Sequence, residues 1–226
     1  MEKPPHDEYL QKALILLVTH CPRLVRSCYW AGTSSIAIEE LHHRQSFDLD
    51  FHTHKALLDV RPLLAEIQQA LPGRFLLIQA PDEFGSGFSG LLAIDEETQV
   101  TIEIMSNYED VSPEDLTPSQ TAPPMKRVSL TRYLCDKMQC VAERSEARDL
   151  IDIMAALKRF PQIEPQLRKD LQNQDLILLT ERLMLWTEEA LQEDLEAYEH
   201  VELVDAKNCI DLLLQWIREC THEKNL

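Results

Sequence analysis

The run Phe47-Asp48-Leu49-Asp50-Phe51 alternates apolar and acidic residues at the two-residue period of a strand. That period sends Asp48 and Asp50 to one face and Phe47, Leu49 and Phe51 to the other. Two carboxylates sharing so small a patch repel unless a cation lies between them, and a hard oxygen pair of this kind points to a divalent metal. Upstream, Ala31-Gly32-Thr33-Ser34-Ser35 follows the apolar tripeptide Cys28-Tyr29-Trp30 and opens a predicted helix over residues 34–43. A tight glycine turn leading into a helix offers backbone N–H groups and hydroxyls to a phosphate. Phosphate cradle and metal carboxylates therefore lie one helix apart.

A third carboxylate stands on a second strand. In Val100-Thr101-Ile102-Glu103-Ile104 the apolar positions face one way and Thr101 and Glu103 the other. Further along, a predicted helix after Ser129 has Leu130, Tyr133, Leu134, Met138 and Val141 as its apolar positions. Lys137 falls about 20° from the direction of Leu130, within that stripe, so it must snorkel or reach an anion. Ser145 is placed to cap the next helix, on which Arg148 and Asp152 share a face with Asp149 beside them. His42 and His43 sit at a helix end, where the dipole favours partial positive charge, and carry no metal role.

The elements that must position these groups follow in order. Residues 8–27 read as an amphipathic helix broken near Pro22, and residues 55–71 keep helical spacing up to Pro72-Gly73. Strands are predicted over 74–80, 87–94 and 99–105, and residues 106–124, rich in Pro, Ser, Asp and Glu, read as a linker. From Pro161 on come at least two acidic amphipathic helices, over 175–198 and 204–220. The chain of 226 residues can bury a sizeable core.

Composition narrows the function classes. With 39 acidic against 22 basic residues, the chain does not carry a surface for holding nucleic acid non-specifically. The one positive segment is 125–159, with 8 basic and 5 acidic side chains, and an anionic substrate is expected there. The six cysteines form no CxxC pair and no zinc spacing and read as reduced, mostly buried thiols. No window approaches a membrane span, and MEKPPHDEYL lacks the apolar core of a signal peptide, which predicts a cytoplasmic protein with no membrane partner.

The stretch AGTSSIAIEELHHRQSFDLDFHT resembles the GGTAL…hRxSxDLDFxT block of the AbiEii/AbiGii toxin family, within the nucleotidyltransferase superfamily. A second stretch, LTRYLCDKMQCVAERSEARDLIDIMAALKRF, resembles that family's block DLxxxKlxAlxxRxxxRDfxDlxxLl, with Lys137, Arg144, Arg148, Asp149 and Asp152 on its positions. The resemblance covers about residues 25–160. It implies an α+β fold, a small mixed sheet flanked by helices, with a nucleotidyltransferase-like core over 1–124. A helical region over 125–226 would follow, in which 125–160 completes the cleft and 161–226 forms an acidic tail.

The resemblance also implies a chemistry, the transfer of a nucleotidyl group from an NTP to a hydroxyl acceptor. Asp48, Asp50 and Glu103 would hold Mg²⁺, and Gly32, Thr33 and Ser34 the phosphates, with Arg44 and Lys137 neutralising them. Asp149 joins the catalytic set and Arg148 the nucleotide-binding set, unless both serve as an ion pair between helices. RNA is one candidate acceptor, and a separately encoded antitoxin one candidate partner. Two positions depart from the family pattern: Ala31, where a glycine is usual, and Glu103, where many members have aspartate. They leave open a second reading, a catalytically degenerate module of the same fold that binds nucleotide or a protein partner.

Overall fold

The computed structural model describes residues 6–144, 146–196, 198 and 202–223. Its chain divides into two units between Ser129 and Leu130. In the first, α1 (His6–His20) is followed by α2 (Pro22–Ser27), and the break falls where Pro22 takes the first helical position of α2. Strand β1 (Cys28–Ala31) runs into the five-residue α3 (Gly32–Ile36), which continues as a wide π-turn over Ala37–Leu41. Then come β2 (Asp48–Ala56), α4 (Arg61–Ala70), β3 (Phe75–Gln79), β4 (Gly87–Ala93) and β5 (Gln99–Asn107). Two three-residue strands, β6 (Leu116–Pro118) and β7 (Lys126–Val128), complete the unit.

The seven strands form one mixed sheet in the order β3-β4-β5-β2-β1-β7-β6. Strands β2 and β5 run parallel, as do β1 and β7, and the remaining pairs are antiparallel. Alternation in sequence becomes alternation in burial. Leu49 and Phe51 of β2, and Val100, Ile102 and Ile104 of β5, are buried against Leu10, Leu14 and Leu17 of α1 and Leu63 and Ile67 of α4. Each such side chain contributes about 1.5–3 kcal/mol by leaving water. The core thus holds β2 and β5 side by side and leaves Asp48, Asp50 and Glu103 on the opposite face.

Two expectations for this unit needed revision. The helix predicted over 55–71 starts only at Arg61, because β2 extends through Ala56 and Pro62 belongs in the first turn of α4. Residues 106–124 are no plain linker: β5 reaches Asn107, β6 lies within the stretch, and Ser119, Gln120 and Thr121 all donate to Glu39.

The second unit is helical: α5 (Leu130–Glu143), α6 (Ala147–Arg159), α7 (Glu164–Leu171), α8 (Leu176–Met184), α9 (Glu188–Leu195) and α10 (Leu203–Glu223). Ser145, predicted to cap α6, lies outside the described residues. The helix expected over 175–198 is two helices, because Thr187 accepts the Ala190 N–H and starts α9 afresh. All six cysteines are free, and four of them are buried. No helix among the described residues is long and apolar enough to cross a membrane.

Candidate active site

The glycine turn and the acidic strand meet directly. Ala31, the last residue of β1, pairs across the ladder with Asp50 of β2, so the chain turns away at Gly32 beside that carboxylate. Gly32 has φ +66°, and a Cβ built there would lie 1.8 Å from Asp50 Oδ2. Only glycine fits on both counts. Ala31 has φ −101°, an extended backbone that alanine adopts freely, so the missing first glycine of the family pattern leaves the turn intact.

On its other side Asp50 pairs with Glu103 of β5, and Asp48 pairs with Thr101. Parallel neighbours stand about 4.8 Å apart. Asp48, Asp50 and Glu103 therefore occupy one open patch of the sheet's outer face. Among the described residues, no three His, Cys, Asp or Glu side chains converge closely enough to hold a metal ion. The donors nonetheless suit a hard divalent cation in type, being carboxylates on neighbouring strands.

The turn's hydroxyls are unequal. Ser34 is wholly buried, with its Oγ accepting the Trp30 indole N–H at 3.0 Å, so it anchors the turn from beneath. Thr33 Oγ1 accepts from Arg44 Nη2 at 3.0 Å, and Ser35 Oγ donates to the Gly32 carbonyl at 2.9 Å. Ser46 Oγ donates to Asp48 Oδ1 at 3.1 Å. Arg44 and Ser46 thus tie the loop before β2 to both the turn and the acidic strand.

The remaining expected site residues lie in the second unit. Lys137 meets the anions its place in the apolar stripe of α5 required: Asp149 at 2.7 Å and Asp152 at 3.1 Å, both on α6. Tyr133 donates its O–H to Asp152 at 2.6 Å, and Arg144 donates to both oxygens of Asp149. These bonds with Asp149, working against burial, push the Arg144 pKa up. The Lys137 side chain is 9% exposed and both aspartates are fully buried. Arg148 turns instead to Glu146 and remains 36% exposed.

The net charge of 125–159 is largely consumed by local pairing. Arg127, Arg132, Lys137, Arg144, Arg148 and Lys158 each hold a carboxylate within ion-pair distance. A basic sequence window is here not a bare cationic surface.

Sequence reasoning did not single out Glu39, Arg127 or Ser119. Glu39 looks like a solvated helix residue, yet its side chain is 2% exposed and bonded to Arg127 Nε at 2.7 Å. Its partners lie about eighty positions away in the chain and carry no motif.

A model of the family described as nucleotidyl transferase AbiEii toxin, Type IV TA system, matches residues 32–199, from the turn glycine into the acidic helices. The chain belongs to this family. The AbiEii match extends past the two blocks legible in the sequence and takes in α7, α8 and α9. The fold agrees with that of MenT4, a nucleotidyltransferase toxin from Mycobacterium tuberculosis, at TM-score 0.62 and 14% identity, over 94% of this chain and 82% of that one. JHP933 from Helicobacter pylori is similar at TM-score 0.56 and 17% identity, over 97% and 95% of the two chains. A comparison with curated proteins returned no match.

Proposed function

We propose that this AbiEii-family protein transfers a nucleotidyl group from an NTP to a hydroxyl acceptor, with Mg²⁺ held by Asp48, Asp50 and Glu103. The observation that carries the reading is the seat of Asp50, packed against the one glycine of the turn and in register with Glu103. When bound, Mg²⁺ would supply a Lewis acid that offsets phosphate charge in an in-line displacement.

The chain's own residues do the rest. Gly32 and Thr33 line the phosphates, with Ser34 holding the turn from below and Arg44 adding positive charge beside Thr33. The acceptor oxygen bonds to the α-phosphorus, the bond to pyrophosphate breaks, and the acceptor's proton passes to a carboxylate. We assign Glu103, exposed and in register with Asp50, as that carboxylate as well as a metal ligand. The acceptor class stays open between RNA and other hydroxyls, and the charge of −17 directs a polynucleotide to a restricted area of the surface. We assign the protein to the cytoplasm, with an antitoxin as its genetic partner.

Burial favours a second reading for part of the family's second block. Lys137, with two buried counter-ions, and Asp149, with two cationic partners, act as a brace between α5 and α6 rather than on the nucleotide. Arg144 and Arg148, 40% and 36% exposed, are the block's residues that a phosphate can reach from solvent.

The test of the transfer reading is incubation with each α-labelled NTP, Mg²⁺ and either total RNA or total protein, following label transfer and pyrophosphate release. Asp50→Asn is expected to lower transfer by about 1,000-fold or more. Equal transfer by wild type and variant would reject the assignment.

A further inference from the structure

Helix α3 is five residues long, and so short a helix has no stability of its own. The placement of its hydroxyls depends on their own bonds to Arg44, Trp30 and Gly32 and on what holds its far end. That end is the π-turn Ala37–Leu41, closed by the His42 N–H on the Ala37 carbonyl at 3.0 Å and ended by His42 at φ +50°. Turns of this width are rare and recur at functional sites.

The wide turn brings two adjacent carboxylates to one guanidinium. Arg127 Nε donates to Glu39 and its Nη2 to Glu40. Glu39 is fully subscribed: Oε1 accepts from Ser119 Oγ at 2.6 Å and Thr121 N at 2.9 Å, and Oε2 from Gln120 N at 3.2 Å as well as Arg127. Burial pushes its pKa up, but these donors outweigh it and hold the carboxyl below its usual range.

Arg127 itself sits on β7 opposite Trp30, just before the turn. The chain therefore leaves the sheet after Ala31, makes the turn, and is tied back at Glu39 to the strand beside the one it left. Arg44 holds Thr33 separately.

We infer that Glu39 and Arg127 are positioning residues of the nucleotide turn. They touch no reacting atom, and they act by fixing Gly32 and the hydroxyls of Thr33 and Ser35 relative to Asp50. The inference rests on the nucleotide reading above and adds a pair of residues which that reading does not use.

The test is calorimetric titration of Mg²⁺ and NTP into wild type, Glu39→Gln, Arg127→Lys and Glu66→Gln, at a temperature where circular dichroism shows each folded. Glutamine puts an N–H₂ where four donors converge, and lysine lacks the fork that spans Glu39 and Glu40. Both variants are expected to raise the NTP dissociation constant about tenfold or more. Glu66 accepts the Arg23 and Leu24 N–H groups at 2.8 Å and so caps α2 rather than the turn. Its variant is expected to lose stability and keep wild-type affinity.

Unchanged affinity in folded Glu39→Gln overturns the inference, as does an equal loss in Glu66→Gln, which would mark a general effect on folding. If Glu39→Gln does not fold, Arg127→Lys decides by the same criterion. Absence of NTP binding by wild type removes the nucleotide reading, and this inference with it.

Discussion

Gly32→Ala is expected to abolish Mg²⁺-dependent NTP binding while leaving a folded protein. Alanine at φ +66° costs about 1–2 kcal/mol for its left-handed backbone. That is tolerable, since Gly32 is not itself part of the core of α1, α4 and the inner sheet face. The larger consequence is local. A Cβ within 1.8 Å of Asp50 Oδ2 cannot coexist with the present carboxylate position. Strand β2 is fixed by β1 on one side and β5 on the other, so the side chain must give way. Displacing a metal ligand by an ångström or so is worth about 100-fold in function, and the turn that should face the phosphates carries the intruding methyl. Titration of NTP with Mg²⁺, paired with thermal melts, checks this. Near-normal affinity in the variant would show that Asp50 and the turn do not work together.

Lys137→Met is expected to have the largest effect on stability. The ammonium is the charge shared by Asp149 and Asp152, neither of which reaches solvent. Asp149 keeps Arg144 after the substitution, but Asp152 loses the cation Lys137 and keeps the Tyr133 hydroxyl. Removing one partner of a buried ionic group costs about 3–5 kcal/mol, because the remaining charge stays out of water. Adding Asp152→Asn should recover part of that loss, since the amide needs no counter-ion. Denaturant unfolding of the single and double variants measures both. The same proteins separate the two roles open to Lys137: a brace leaves NTP affinity unchanged while the protein is folded, whereas a phosphate ligand loses it.

The chemistry-bearing strands were legible because their signal is local. Period-two alternation placed Asp48, Asp50 and Glu103 on one face, and strand burial follows that pattern residue by residue. Gly32 was legible as a turn, although its tight contact with Asp50 depends on the antiparallel pairing of β1 with β2, which no local pattern encodes. Lys137 was readable as a conflict, a charge in an apolar stripe, and its resolution by Asp149 and Asp152 is the kind of answer such a conflict demands.

What stayed hidden is non-local. The π-turn has no sequence signature, and Glu39 owes its burial to Ser119, Thr121 and Arg127 from a stretch that reads as linker and short strand. Strands of three residues such as β6 and β7 are too short to show a period. Ser34 reads as a phosphate ligand by its place in the motif, and in the fold its buried Oγ accepts the Trp30 indole N–H beneath the turn, a contact set by the packing of β1. The break between α8 and α9 turned on a single cap, Thr187, inside an otherwise continuous helical pattern.

Nucleotidyl transfer by this chain requires that the carboxylate face bind a nucleotide through a metal. Isothermal titration of each of the four NTPs, with Mg²⁺ and with EDTA, into wild type and the double variant Asp48→Ala/Asp50→Ala measures this directly. The expected result is binding of at least one NTP that requires Mg²⁺ and vanishes in the folded double variant. Metal-independent binding that survives loss of both aspartates, or no binding by wild type to any of the four, would contradict it.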